Sequence, residues 1–480
     1  MDVLTCTGCK HLVNERNLNM SGEKKLGLPS AISVCVGLIV ATSCLVSLGN
    51  GVGLCGKAFV IPMFVVMILN IFIAISFAEL HSLMPNVTGG TSQYILAGMG
   101  PVISIISNIG AYFIVMTLSS TVELTMCGMV ISELFFPQTD PRIISIIIMV
   151  IFFIISLLRI DIFAKIQNFA VYLLLAFMLF LGIVGTFGLG TGAEVAVQTA
   201  PTYSSFGEVM SASAIAFWLF IGVEYVIPIS KDLKNPKRDI LLSMVLGLVI
   251  LFIVQALMGT GMANYVSLDI LKDSNTPHMI YASNLLGKAG QYIMGLITIL
   301  AAVSALNVVY TSVSKILAGM AEDGMLPRVF AKTNRFGASY VGVILIAAFN
   351  LILVLLNVAN TQGVTFLVLS ASVFWLITYC MVHITVIKLR IKYPDRPRKK
   401  YLTLLGIPQI IGIIGNIYMI WNISDSESRI KIYILCGILL AIMLIYALIW
   451  VCLVMKAKPF KTVDIDTINN GDLSFRDIIK

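Results

Sequence analysis

What most constrains this chain is a succession of apolar runs, each long enough for a helix to cross the hydrocarbon of a bilayer, which takes about 20 residues. Twelve follow one another, at 28–48, 57–83, 101–132, 142–158, 165–189, 209–230, 238–262, 289–320, 339–357, 363–389, 402–421 and 430–455. Of the 480 residues, 58% are hydrophobic and only 12% charged, more apolar surface than one globular core can hide. The chain therefore reads as an all-α membrane protein with twelve transmembrane helices, predicted spans 1 to 12. With the N-terminus inside, only six of the 32 Lys and Arg fall on outward-facing segments: Lys57, Arg142, Lys272, Lys288, Arg429 and Lys431. This positive-inside asymmetry puts both termini in the cytoplasm of a multi-pass cell-membrane protein. It also explains the net charge of +8 without nucleic acid.

Most of the nine cysteines lie inside predicted spans, so no disulfide framework is implied. Cys6-Thr-Gly-Cys9 with His11 is a single CxxC in a polar tail, and no cofactor or metal is expected from it. Met20-Ser-Gly-Glu-Lys-Lys reads as a natural start, leaving the first nineteen residues as an expected start-site extension. Gly51-Val-Gly53-Leu-Cys-Gly56-Lys57 imitates a phosphate loop. No strand precedes it and Ala58 stands where Ser or Thr is required, so these glycines are expected to form a tight link between spans 1 and 2. Residues 263–288 are expected to form an outer loop, with Asp273 and Pro277 as turn residues. Residues 392–400 form a basic inner loop suited to anchoring topology against anionic lipid heads.

The stretch 211–240 is built for more than spanning, since Gly222, Glu224 and Pro228 interrupt predicted span 6 at about mid-bilayer. Loosened backbone survives at that depth only where it faces protein or a water-filled cavity. When the first ten spans are folded as two halves of five, span 1 matches span 6 and carries small and polar residues at similar depth, Ala41-Thr42-Ser43-Cys44. Paired interruptions in matching helices point to a midplane site between inverted repeats. Glu123 is a second interior acid, with Tyr112, Met116 and Ser119 at helical spacing on its face. No Lys or Arg lies at comparable depth, so an ammonium group or a proton is the natural counter-charge. Trp218, one turn before Gly222, offers an indole face to such a cation. His383 reads as a satisfied interior histidine.

Four stretches carry a family resemblance: Ala78-Glu79-Leu80 with Pro85, Gly89-Gly90, Tyr94 and Gly100-Pro101; residues 220–224 with 234–239; Ser314-Lys315-Ile316-Leu317 with residues 320–327; and Lys392-Tyr393-Pro394-Asp395. In order and spacing the chain resembles the amino acid, polyamine and organocation (APC) transporters, bacterial amino acid permeases and antiporters among them, from Lys24 to Met455. The resemblance implies a leucine-transporter-like fold of two inverted five-helix repeats plus two helices, with alternating access to a site between helices 1, 3, 6, 8 and 10. It also matches Trp218 to an aromatic gate of arginine/agmatine antiporters. Two departures stand out. Ala41-Thr42-Ser43 replaces the Gly-Ser-Gly common at the helix 1 break, where a Cβ restricts backbone approach to a substrate carboxylate. A lysine used for proton coupling in some members is replaced near Leu174.

The expectation is a secondary transporter of an amino acid or related amine. Ala41, Thr42, Ser43, Ser119, Glu123, Trp218, Ile221 and Gly222 are expected to bind substrate, and Glu224 with Glu123 to couple or gate. The small-molecule substrate, protons or a counter-substrate, and lipid are the partners. The organisation reads as a tail (1–27), repeats at 28–189 and 190–389, spans 11 and 12 (390–455) and a second tail (456–480). A non-transporting amino acid sensor of the same fold is the alternative. An enzyme is not expected, because the four histidines (His11, His81, His278, His383) are scattered with no catalytic or metal-ligand spacing.

Overall fold

The computed structural model describes residues 25–87, 90–158, 160–192, 206–274, 276–357, 364–399 and 403–470. The Cys6/Cys9/His11 cluster, the Met20 start, Gly89, residues 193–205 of the linker, Lys400 and the chain beyond 470 lie outside them. Among the described residues the protein is all helical, with one isolated parallel bridge between Leu26 and Leu233. The helices are α1 (Leu28–Ile39), α2 (Thr42–Cys55), α3 (Val60–Leu83), α4 (Thr91–Met99), α5 (Pro101–Phe135), α6 (Pro141–Ser156), α7 (Ile160–Thr186), α8 (Phe206–Ser211) and α9 (Ser213–Trp218). A 3-10 segment (Val223–Asp232) follows, then α10 (Pro236–Tyr265), α11 (Leu268–Asp273), α12 (Pro277–Glu322), α13 (Tyr340–Leu355), α14 (Val364–Lys392), α15 (Ile407–Trp421), α16 (Ser426–Val454) and α17 (Ile465–Asn470). Nine segments among the described residues are long and apolar enough to cross a membrane, and α1, α6 and α13 are shorter apolar helices.

Two breaks organise the interior. Helix α1 stops at Ile39, Ala41 is extended (φ −88°, ψ 165°), and α2 restarts at Thr42. On the other side α9 ends at Trp218, Gly222 adopts φ 105°, and the backbone continues as a 3-10 helix through Pro228. The two breaks touch: a Cβ on Gly222 would lie 2.7 Å from Leu38 Cδ2. Unwinding frees carbonyls that lipid cannot satisfy, and side chains from neighbouring helices take them. Gln255 Nε2 donates to Leu219 O at 3.2 Å, Cys35 Sγ to Val223 O at 3.2 Å, and Ser304 Oγ to Gly37 O at 2.7 Å.

The interruption expected in span 6 is present: short helices give way at Gly222 to a 3-10 segment that carries Pro228 inside it. Two other expectations need correction. Residues 263–288 are mostly helical rather than a loop. Pro277 occupies the first turn of α12, where its missing N–H costs nothing, and Gly287 (φ 60°, ψ −140°) kinks that helix. Gly51 and Gly53 sit inside α2 instead of in a link. A Cβ on Gly53 would come within 2.2 Å of Lys272 N, so this glycine admits the backbone of α11, and the turn itself falls at Gly56 (φ 55°).

At one end of the bundle, Arg390 grips the fully buried Glu79 in two bonds (Nε to Oε1 2.9 Å, Nη2 to Oε2 2.5 Å), with Arg398 Nε 3.2 Å from Oε1. The described part of the tail folds back over this end. Pro459 O accepts from Val102 N at 3.2 Å, Asp464 from Tyr393 OH at 2.7 Å, and Asn469 Nδ2 donates to Leu83 O at 2.8 Å; Arg396 pairs with Asp466. On the periphery, Ile434, Ile438, Ile442 and Ile445 recur at helical spacing along α16 and are exposed, an apolar stripe suited to acyl chains.

Candidate functional site

A helix that begins inside the bundle leaves its first N–H groups without intrahelical partners. At the start of α2 these are Thr42 N and Ser43 N, and Glu123 from α5 takes both. Thr42 N donates to Oε2 at 2.7 Å, while Ser43 N and Ser43 Oγ donate to Oε1 at 3.2 and 3.1 Å. Trp218, the last residue of α9, donates its indole N–H to Ser43 Oγ at 3.2 Å. Thr42, Ser43, Glu123 and Trp218 therefore form one buried chain of donors ending on a carboxylate.

Glu224 is held apart from this group by aromatic side chains. Its Oε1 accepts from Tyr112 OH and Trp375 Nε1, both at 2.9 Å, and its Oε2 from Tyr379 OH at 2.7 Å. Gly222 N donates to Tyr379 OH at 3.3 Å, tying the break to the cage around Glu224. Trp375 stands between the two acids, with its ring 6.4 Å from Trp218 and 5.9 Å from Tyr112, both edge-on.

Two small hollows flank Trp218. One is bounded by Ala41, Ser119, Glu123, Trp218, Ile221 and Trp375, together with Leu38, Ile39, Met116, Ser120, Ala305 and Val309; the other lies among Ser43, Ser119, Trp218 and aliphatic side chains. Each measures about 20 Å³, room for about one water. Larger hollows, of about 80 Å³ beside the Asp232–Lys315 ion pair and about 180 Å³ between His81, Lys237 and Lys399, contain neither interior acid. The paired breaks and the acids between them make the small hollows the stronger site candidates.

Seven of the sequence-predicted residues thus converge: Ala41, Thr42, Ser43, Ser119, Glu123, Trp218 and Ile221. Gly222 lines neither hollow but packs on Leu38, which borders the first, and its N–H donates to Tyr379 OH, while Glu224 occupies its own cage. Trp375 and Tyr379 were not anticipated, although their i, i+4 spacing on span 10 was a legible stripe. Gln167 was missed as well. On α7, about two turns before Leu174, it builds a neutral network, donating to Ser33 O (3.1 Å) and Ser304 Oγ (2.8 Å) and accepting from Asn307 Nδ2 (2.9 Å). His383 meets Ser76 Oγ through Nδ1 at 3.0 Å and packs on Gly412. Among the described residues no group of three or more His, Cys, Asp or Glu is placed to hold a metal ion.

Residues 26–457 match the amino acid permease family, within the APC superfamily. The chain belongs to that family. It is 23% identical over 453 residues to the inner membrane transport protein YbaT of Escherichia coli (strain K12), covering 92% of this chain and 98% of the relative. It is also 23% identical over 457 residues to the branched-chain amino acid permease BcaP of Bacillus subtilis (strain 168), covering 88% and 93%. Crystal structures of mutants of the Eremococcus coleocola manganese transporter superpose with a TM-score of 0.60 at 14 to 15% identity, covering 88% of this chain and 94% of theirs. That likeness shows a shared transporter fold of the leucine-transporter-like kind. The permease is accordingly a multi-pass membrane transporter for amino acids or related substrates.

Proposed function

We propose that the permease works by alternating access, with substrate seated between the two helix breaks and carried as one helical bundle rocks against another. In this reading the chain crosses the membrane twelve times, α1 and α2 together making the first crossing. Residues 28–189 and 190–389 are inverted repeats, and both termini face the cytoplasm of the cell. Ala41, Thr42, Ser43, Ser119, Trp218, Ile221 and Gly222 bound the substrate, Glu123 meets its charge, and Glu224 couples charge to movement of the span 6 break, with a proton or a counter-substrate as the second passenger. The observation that carries the reading is the contact between the breaks at Leu38 and Gly222, with Glu123 of α5 bonded to the first N–H groups of α2. Half-helix ends meeting at the midplane are where transporters of this architecture hold their cargo.

Uptake and exchange by purified permease in proteoliposomes, across a panel of amino acids and amines under proton and substrate gradients, tests the proposal. Glu123→Gln run alongside is expected to lower flux at least about tenfold. Binding without flux under every gradient would turn the reading into that of a sensor, and neither binding nor flux would sink it.

A further inference from the structure

We propose that the substrate of this site is a primary amine with no carboxylate beside its ammonium group, and that Glu123 fills the place such a carboxylate would take. The inference rests on the site location given above and narrows what the site accepts. Free N–H groups at the start of a helix are a ready cradle for an anion. Here, at the head of the fourteen-residue α2, Thr42 N and Ser43 N are both bonded to Glu123, and Ser43 Oγ, itself receiving the Trp218 indole N–H, gives a third bond. An arriving acid group finds these donors already engaged by the chain's own.

The rest of the hollow points the same way. Besides Glu123 its lining is two serines, two indoles and aliphatic groups, with no Lys, Arg or His to receive an anion. Ser120 is already committed, donating to Asn350 Oδ1 at 3.0 Å and Thr117 O at 2.9 Å. A carboxylate offers about four acceptor positions. Glu123 uses three of them, so it can still receive an ammonium proton, most openly at Oε2, which accepts a single bond. The rings of Trp218 and Trp375, 6.4 Å apart and nearly perpendicular, border the same space and supply faces that attract a cation. An amino acid would bring a second carboxylate against Glu123, and like charges at that range repel.

Matched pairs that differ only by the α-carboxylate isolate the effect: isobutylamine against valine, isoamylamine against leucine, phenethylamine against phenylalanine, and cadaverine against lysine. Affinities for the purified full-length permease are measured calorimetrically at pH 7, with flux followed in parallel in proteoliposomes. In at least one pair the amine is expected to bind at least about tenfold more tightly than its amino acid, and Glu123→Gln is expected to narrow that ratio to within about threefold. Amino acids binding as tightly as their amines in the wild type, no binding in any pair, or an undiminished ratio in a folded Glu123→Gln protein would each overturn the inference. The wild-type ratio decides the matter even where the variant fails to fold. Amine binding without flux would count against transport while leaving the inference standing. Flux of amino acids in preference to amines would do the reverse.

Discussion

Glu224 shows how a single acid is made tolerable in the interior: two ring hydroxyls and one indole N–H converge on it. Removing the acceptor strands all three donors, and a buried unpaired donor costs about 1 to 3 kcal/mol. Glu224→Leu is expected to lower the melting temperature in detergent by more than about 5 °C, with Glu224→Gln falling between it and the wild type; a Leu variant as stable as the wild type would refute the cage. A different logic governs Asp323, just past the end of α12. Burial, reinforced by neighbouring Glu322, lifts its carboxyl to about 7 against the bond from Gln93 Nε2 (2.8 Å). The folded chain therefore keeps a proton that the unfolded chain releases near pH 4. The folded state binds more protons between about pH 4 and 7, so this residue's contribution to stability is full below that window and is lost as pH rises through it. Asp323→Asn is expected to melt a few degrees higher than the wild type at pH 8 and at about the same temperature at pH 4.5. The interior acids could be read from the sequence because charge in an apolar run is conspicuous. Their partners could not, because Tyr112, Trp375 and Tyr379 look like ordinary apolar packing until tertiary structure brings them to one point.

At the scale of elements, both helix breaks were visible as composition, as small polar residues at 41–44 and as Gly222 with Pro228. What composition did not reveal is that the breaks abut. Gly222→Ala tests this contact in two ways, since φ 105° strains any side chain and the new Cβ would meet Leu38 Cδ2 at 2.7 Å. The left-handed conformation alone costs about 1 to 2 kcal/mol. Transport by Gly222→Ala is expected to fall at least about tenfold at equal protein level, with only partial rescue by Leu38→Ala, which relieves the clash and leaves the dihedral strain. Full rescue would show that sterics alone set the requirement. Gly53 illustrates the opposite failure of reading. It looked like turn chemistry, yet its use is a close approach to the backbone of α11, a long-range contact that local sequence does not encode.

Across the whole molecule, the order of apolar runs announced a helical membrane protein, while the closure of one end did not show. Glu79 was legible only as part of a family motif; its ion-pair partners lie more than 300 residues away on α14 and the loop after it. Truncating one member of a buried pair costs about 3 to 5 kcal/mol, because the other charge is left unpaired. Arg390 is partly exposed and Arg398 remains nearby, so Arg390→Ala is expected at or below the low end of that range. Its melting temperature should drop, and pairing it with Glu79→Gln should recover part of the loss. A double variant no more stable than Arg390→Ala would place the effect in packing.

The bridge between Leu26 and Leu233 reaches further than its size suggests. Leu26 N donates to Asp232 O and Lys234 N to Leu26 O, each at 2.8 Å, just before α1 begins and just as the 3-10 segment ends. Two peptide bonds' worth of pairing thus harness to each other the ends of the two interrupted rods that lie farthest from the breaks. In the rocking motion proposed above they would swing as one leaf of a door, neither opening by itself without first unhooking that rung.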